Sequence, residues 1–407
     1  MHKLASVSRS SLTAFAVAAG LGSALGFSAV VAGSATTPST PVPQGFVGMV
    51  VDEPTWPDPF VDIAKQLDVM VASGVQTIRV VFDWSRIQPY RSWSQVPADA
   101  KSEFVDIGGI PTNFSSLDQL VGLTSQHGMT VLPVILNAPR WDGQTYKGAI
   151  LAIPRSPAPY AAFAKALVRR YGPGGSFWAS YPYSPRVPIR MWQIWNEPNI
   201  TAFWPQQPYY ARYVALLRAA HAAIKSADPT AKVVLAGMPN YSWFELERIY
   251  KFKGARSLFD VVSLHPYTQT PQGVITILNY VRTVMNQAGD SAKPILADEI
   301  SWPSSLGKTS HNTGYDFATT EAGQARNLGK LLPMLVRDRV RLGLAGFYYY
   351  DWMGLERPNY LAFDFAGLFR VSGGEFVAKP AYSVFRSDAL AMEGCRAKGP
   401  LATDCQK

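Results

Sequence analysis

Two glutamates each follow an apolar run, Glu197 in the segment MWQIWNEPN and Glu299 in ILADEISWPS. If both runs are parallel strands of one sheet, the two side chains meet at its carboxyl edge. A pair of carboxylates in different surroundings is the equipment for cleaving a glycosidic bond, because one can protonate the leaving oxygen while the other attacks the sugar carbon.

Further polar residues at the ends of other runs could set these two carboxylates apart. Arg79, His265 and Tyr267 are expected to hydrogen-bond to Glu299 and keep it ionised, which suits a nucleophile. Glu197 is then expected in less cationic surroundings, where it can stay protonated and act as the acid.

Other residues near the same ends offer contacts to a sugar. Asn196 precedes Glu197 and can donate to a sugar 2-hydroxyl, a contact that strengthens in the transition state. Trp302 and Trp352 offer flat apolar faces on which a sugar ring can stack.

Eight short apolar runs must position these side chains. Most are continuous, which is typical of parallel strands covered on both faces. The predicted strands are Gly45–Val51, Val75–Phe82, Met129–Leu136, Ile189–Trp195, Lys232–Gly237, Phe259–Leu264, Lys293–Asp298 and Leu344–Tyr350.

Helical patterns lie between several of these strands. The clearest are Phe60–Ser73, Ser115–His127, Pro157–Tyr171, Gln207–Ala227 and Thr320–Arg341, and a hairpin and a closing helix follow Tyr360. The alternation predicts an α/β fold, a single-domain (β/α)8 TIM barrel. A doubly wound open sheet is the alternative, and it is disfavoured because no GxGxxG or P-loop follows the first strand.

Composition excludes several classes of function. The net charge is +9, but the cations are scattered, so no stripe for nucleic acid is predicted. The five histidines are widely spread without HxH or HExxH spacing, so neither a metal site nor a cofactor is predicted.

The two ends of the chain have their own patterns. Residues 1–35 combine an early basic stretch with an uncharged apolar run and a small-residue exit, which predicts a signal peptide; an uncleaved anchor is the alternative. Residues 36–43 are predicted to be a linker, 44–392 the barrel and 393–407 a tail. In an exported chain Cys395 and Cys405 are expected to form a disulfide, and the protein is expected outside the cell or in its envelope.

The motifs resemble those of the clan A glycoside hydrolases of the cellulase kind, of the family 5 and family 39 types. The resemblance spans Gly45 to about Leu390 and is carried by the segments TIRVVFDWSRIQP, MWQIWNEPN, DVVSLHPYT, ILADEISWPS and GFYYYDWMG.

This resemblance implies a retaining mechanism with Glu197 as acid/base and Glu299 as nucleophile. It also implies that Arg79, Asn196, His265, Tyr267 and Trp352 support them. The sequence departs from the pattern after the third strand, where a histidine is common and Asn137 or Trp141 stands instead; this suits family 39 better than family 5.

The expected partner is a poly- or oligosaccharide, bound by a monomer without obligatory membrane contact. Two alternatives stay open: a transglycosidase that uses the same residues, and a non-catalytic carbohydrate-binding barrel.

Overall fold

The computed structural model describes residues 41–52, 61–309, 317–357, 361–372 and 375–407. The predicted signal peptide and most of the predicted linker lie outside these ranges. Among the described helices, none is both long and apolar enough to cross a lipid bilayer.

Eight parallel strands form the centre of the fold, each within or next to a predicted run. They are β1 Val47–Val50, β2 Thr77–Asp83, β3 Thr130–Leu136, β4 Met191–Ile194, β5 Lys232–Val234, β6 Val262–Leu264, β7 Ile295–Ile300 and β8 Leu344–Tyr349. Their spatial order runs from β6 through β7, β8, β1, β2, β3 and β4 to β5. A bridge between Val234 and Val261 joins the two ends, so the predicted (β/α)8 barrel is confirmed.

Eight longer helices follow the strands. They are α1 Ile63–Ala72, α2 Ser115–Gln126, α3 Pro157–Tyr171, α4 Tyr210–Ala227, α5 Ser242–Tyr250, α6 Pro271–Gln287, α7 Glu321–Leu342 and α8 Pro380–Glu393. Local signals explain several boundaries. Thr270 and Thr320 cap α6 and α7 through their hydroxyls, and Gly343 ends α7 in the left-handed conformation.

Side chains from alternate strands fill the barrel interior in layers, as this fold requires. Odd-numbered strands contribute an apolar cluster of Val50, Leu132, Val234 and Leu296. The even-numbered strands β2, β4 and β6 contribute polar side chains instead. These are Arg79, Gln193 and Ser263, which are all buried. Hydrogen bonds link Arg79 to Gln193 and Gln193 to Ser263, so the polar side chains form one connected set beside the apolar cluster.

A glycine makes room for the largest interior ring. The Tyr348 ring of β8 lies over Gly48 of β1, where a Cβ atom would come within 2.4 Å of it. The Tyr348 hydroxyl lies 3.3 Å from the Thr77 hydroxyl on β2. Strands β8, β1 and β2 can therefore approach each other only because residue 48 has no side chain.

A bulge in β7 changes which side chains face the interior. Ala297 pairs with Phe347 and Ile300 with Tyr349, so β7 has one more residue than β8 over this stretch. Neighbouring residues of a regular strand point to opposite faces, and an extra residue re-aims them. Asp298 and Glu299 are consequently both buried and both contact Arg79.

Shorter elements border the barrel mouth and the opposite end. They are the antiparallel pairs Val105–Ile107 with Ile110–Thr112, Gly143–Gln144 with Ile153–Pro154, Phe369–Ser372 with Glu375–Ala378 and Ala397–Lys398 with Cys405–Gln406. The last pair adjoins the Cys395–Cys405 disulfide, because Cys405 is the first residue of its second strand. It holds the tail against α2 through a hydrogen bond from the Ala402 amide to the His127 carbonyl.

A buried lysine joins the segments that follow β7 and β8. The Lys379 ammonium lies 2.9 Å from the Glu356 carboxylate, 2.9 Å from the Phe365 carbonyl and 3.1 Å from the Ser304 hydroxyl. Burial lowers the pKa of Lys379, and the carboxylate of Glu356 opposes that shift. Breaking a buried ion pair by removing one partner is far more destabilising than losing a surface pair.

We therefore expect Lys379→Met to lower the free energy of unfolding by about 3 to 5 kcal/mol, measured by urea denaturation. The double variant Lys379→Met/Glu356→Gln should recover part of that loss, because it removes the stranded carboxylate. The control is Lys330→Met on the exposed face of α7, which should change stability by less than about 0.5 kcal/mol. Equal losses in Lys330→Met and Lys379→Met would contradict this interpretation.

Candidate active site

The buried guanidinium of Arg79 on β2 lies at the centre of the barrel mouth. Its Nη1 donates to Glu299 Oε1 at 2.7 Å and its Nη2 to Asn196 Oδ1 at 2.6 Å. Its Nε donates to Gln193 Oε1 at 2.8 Å and lies 3.2 Å from Asp298 Oδ2. One side chain thus ties β2 to the ends of β4 and β7.

Glu299 is held on both carboxylate oxygens. Arg79 occupies Oε1, and the Tyr267 hydroxyl donates to Oε2 at 2.7 Å. Tyr267 also packs its ring on Phe317 and Phe363, with centroids 5.3 and 5.0 Å away. The supports predicted for Glu299 from Arg79 and Tyr267 are therefore present, and they fix the carboxylate in one orientation.

Glu197 leaves β4 through a turn with unusual backbone. Trp195 and Glu197 have φ values of 70° and 43°, in a region that costs side-chain-bearing residues about 1 to 3 kcal/mol and concentrates at functional sites. The Glu197 amide donates to the Gly237 carbonyl at 3.0 Å, and this bond holds the turn beside β5.

His265 lies between the two glutamates, closer to Glu197 than the sequence suggested. Its Nδ1 is 2.7 Å from Glu197 Oε1 and 3.4 Å from Glu299 Oε2. The sequence placed His265 with Glu299 and left Glu197 in less cationic surroundings. The structure corrects this, because the imidazole bonds to Glu197 and the guanidinium of Arg79 bonds to Glu299.

Charge and burial give these groups different protonation behaviour. Burial opposes a charge on His265, but the carboxylates of Glu299 and Asp298 and the bond to Glu197 outweigh it and raise the pKa of His265 to about 10. Burial raises the pKa of Glu197, and the attraction of His265 offsets only part of that shift. Glu197 therefore holds a proton more readily than an exposed glutamate, as an acid requires.

Two participants were missed by the sequence reasoning, Gln193 and Asp298. The Gln193 amide donates to Asp298 Oδ2 at 2.6 Å and to the Ser263 hydroxyl at 2.9 Å, beneath Arg79. A signal existed, because each is a polar residue inside an apolar run that is buried on both faces. Such a position is compatible only with a partner inside the barrel.

The two tryptophans predicted as sugar-stacking faces are not exposed. Trp302 is 1% exposed and its Nε1 donates to the Thr268 carbonyl at 2.8 Å. Trp352 is 0% exposed, packs on Phe369 and donates to Gln66 of α1 at 2.9 Å. Both rings pack under loops, so the prediction of stacking faces is wrong for this structure.

Tyr350 is the aromatic residue that follows β8 at the mouth. It is half-buried, its ring lies 5.5 Å from that of Phe363, and burial together with the nearby carboxylates of Asp52 and Glu299 raises its pKa. A neutral phenol beside Glu299 can contact a sugar, which the sequence assigned to Trp352 two residues later.

The side chains of Asn196 and Asn137 differ in whether the amide NH2 group is already used in a hydrogen bond within the protein. The Asn196 oxygen accepts from Arg79, which orients the amide and leaves its NH2 group to donate. The Asn137 NH2 group donates to Asp83 Oδ2 and Ser85 Oγ, both at 3.1 Å, and its oxygen accepts from the Ala152 amide. Asn137 thus joins the end of β2 to the segment after β3. The ring of Trp141 is half-buried, and its Nε1 donates to the Gln88 carbonyl at 2.8 Å.

Three of these residues have the spacing of metal ligands but poor surroundings for a cation. Glu197, His265 and Glu299 each offer an atom within 4.8 Å of the others. The guanidinium of Arg79 and an imidazole with a raised pKa already lie against these carboxylates. A divalent ion would meet two positive charges, so this donor set fits an ion-pair cluster and does not fit a metal centre.

The fold resembles those of several solved glycosidases, whereas no family model and no curated protein matches the sequence. The GH39 β-xylosidase of Caulobacter crescentus shares 18% identity at a TM-score of 0.56, covering 85% of this chain and 71% of that one. A glucosidase of Croceicoccus marinus shares 18% at a TM-score of 0.57, covering 88% and 68%.

A third similar structure is a GH53 catalytic domain of Ignisphaera aggregans, at 18% identity and a TM-score of 0.55, with 86% of this chain and 97% of that chain covered. The expected resemblance to clan A glycoside hydrolases is thereby confirmed at the level of the fold.

A steric test concerns Gly237, which lies against His265. A Cβ atom at residue 237 would come within 2.1 Å of His265 Nε2, so Gly237→Ala must displace the imidazole or the backbone that holds Glu197. We expect a lower melting temperature and a shifted His265 NMR resonance. Gly122→Ala in α2 is the control, because its Cβ would be 3.7 Å from the nearest atom. An unshifted His265 resonance in Gly237→Ala would contradict the contact.

Proposed function

We propose that this protein is a retaining glycosidase, with Glu197 as acid/base and Glu299 as nucleophile. The observation that carries the proposal is the close approach of the two carboxylates, which have oxygens within 4.8 Å of each other. Retaining enzymes separate the two carboxyl groups by about 5 to 5.5 Å, whereas inverting enzymes need about 6.5 to 9.5 Å for a water molecule.

The first step would transfer the sugar to the enzyme. Glu299, held by Arg79 and Tyr267, attacks the anomeric carbon as the bond to the leaving oxygen breaks, and that oxygen takes the proton of Glu197. The products are a covalent glycosyl ester on Glu299, an ionised Glu197 and a free alcohol.

The second step would release the sugar. Glu197, now ionised, takes a proton from water, and the water oxygen attacks the anomeric carbon and displaces the Glu299 carboxylate. His265, 2.7 Å from Glu197, favours the ionised form in this step, whereas burial favours the protonated form in the first. These opposing influences suit a residue that must do both.

A poly- or oligosaccharide is the proposed substrate, acted on by a monomer. Aryl glycosides of xylose, glucose, galactose and arabinose are the first probes, because the similar structures include a xylosidase and a glucosidase, a β-1,4-galactanase and an arabinofuranosidase.

The roles of the two glutamates can be tested by azide rescue. Glu299→Ala should lose activity by a factor of about 10⁴ or more, and azide should restore turnover to a glycosyl azide of inverted configuration. Glu197→Ala with an activated leaving group should give the azide of retained configuration, because the glycosyl ester still forms.

Anomeric proton NMR distinguishes the two products. Glu247→Ala, at an exposed ion pair on α5, is the matched control and should keep its rate. Full activity in Glu299→Ala would remove the assignment of the nucleophile, and the same azide anomer from both variants would contradict the division of roles.

We also propose export through the signal peptide at residues 1–35. The early basic residues, the uncharged run and the Cys395–Cys405 bond, which suits an oxidising compartment, support this. N-terminal sequencing of the chain from the medium or envelope should give Thr36 as the first residue. A chain that starts at Met1 in the membrane fraction would favour the uncleaved anchor instead.

A further inference from the structure

Asp298 is a buried carboxylate that the proposed reaction does not use. It precedes Glu299 in the β7 bulge and has no exposed area. Its Oδ2 accepts from Gln193 and lies 3.2 Å from Arg79 Nε, and its Oδ1 lies 3.6 Å from His265 Nε2. It therefore contacts both cations of the site without facing the position of the substrate.

Among the five ionisable groups at the centre, the carboxylates outnumber the cations. Two are cations, Arg79 and His265, and three are carboxylates, Glu197, Asp298 and Glu299. All are buried except Glu197, whose side chain is 12% exposed. An unpaired buried charge is costly. With both cations charged, the cluster is neutral when one of the three carboxylates keeps its proton.

The contacts identify the carboxylate that stays protonated. Glu299 receives hydrogen bonds from Arg79 and Tyr267, and Asp298 receives one from Gln193 beside the guanidinium of Arg79. Two donors on Glu299, and two cations beside Asp298 (Arg79 and His265), favour the ionised forms of these two carboxylates. Glu197 has one donor, His265, so the remaining proton belongs to Glu197.

Other titratable groups around the cluster do not change this balance. They include Tyr267 after β6, Tyr348 in β8 and Tyr350 after β8, whose pKa values burial raises, so the phenols are neutral. From the end of β1 there is Asp52, which is exposed to water. Water screens an exposed charge strongly, so the balance is decided by the five central groups.

We propose that Asp298 is a positioning residue whose negative charge holds two protons on the Glu197–His265 couple, one on the imidazolium of His265 and one on the acid form of Glu197. The role in catalysis rests on the proposed function, whereas the effect on His265 does not. Asp298 acts through the barrel interior: its charge makes a net-neutral cluster out of the protonated Glu197–His265 couple. Loss of one proton from that couple then leaves a net charge of −1.

Removal of the Asp298 charge makes the net charge of the cluster more positive by one unit. In Asp298→Asn the cluster carries a net charge of +1 while Glu197 and His265 are both protonated. It becomes neutral when this couple loses its first proton, so that proton is lost at lower pH. Because the acid form of Glu197 is needed for the first step, activity falls as pH rises through this transition. The alkaline limb of kcat/KM should therefore move to lower pH by about one unit or more, which is a tenfold change in the proton equilibrium.

Histidine NMR measures the protonation of the same Glu197–His265 couple without any substrate. In the full chain, the His265 signal, assigned by its loss in His265→Gln, should titrate near pH 10 and move to lower pH in Asp298→Asn. Gln193→Met is the matched control, because it removes the hydrogen bond that Asp298 accepts from Gln193 and leaves every charge in place. Its His265 titration should stay within about 0.3 of a pH unit of the wild type.

The outcomes are separable. If no glycoside is hydrolysed, the proposed function fails while the His265 titration still tests the role of Asp298. If Asp298→Asn and Gln193→Met shift the titration equally, or Asp298→Asn leaves it unchanged, the inference is overturned. If Asp298→Asn does not fold, the wild-type titration decides, because a His265 that is neutral at pH 7 would overturn the inference directly.

Discussion

One buried cation organises the centre of this protein. Arg79 lies inside a parallel barrel beside an apolar cluster, and a buried guanidinium is stable there only when its nitrogens have acceptors. Each of its three nitrogens donates to a residue of β4 or to a residue at the end of β4 or β7, namely Gln193, Asn196 and Glu299. Because these partners lie at the strand ends that carry Glu197 and Glu299, the requirement to pair Arg79 also sets the distance between the two glutamates.

Two departures from regular backbone make that pairing possible. A regular β7 would turn either Asp298 or Glu299 away from the interior, and the bulge after Ala297 brings both inward. On the opposite wall, the left-handed φ of Glu197 lets its amide reach the Gly237 carbonyl while its carboxylate reaches His265. Both irregularities lie at the strand ends that bring the charged side chains together.

The sequence predicted the features that depend on local pattern. Continuous apolar runs identified all eight strands, and the carboxyl-end rule placed Glu197, Glu299, Arg79 and Tyr267 together, because parallel strands align their ends. Helices α5 and α6 were not identified. The incorrect predictions concern the direction of side chains in the turns after the strands. Trp352 follows β8 as Tyr350 does, but only the three-dimensional path of the chain decides which ring faces the mouth and which faces α1.

The same reasoning explains why so distant a sequence keeps this architecture. At 18% identity to the similar structures, most aligned positions differ, and an apolar layer needs only suitable volume. A charged layer is more constrained, because Arg79, Gln193 and Asp298 must agree in charge and hydrogen bonding at once. The acidity of Glu197 is therefore a property of the barrel interior as much as of the mouth.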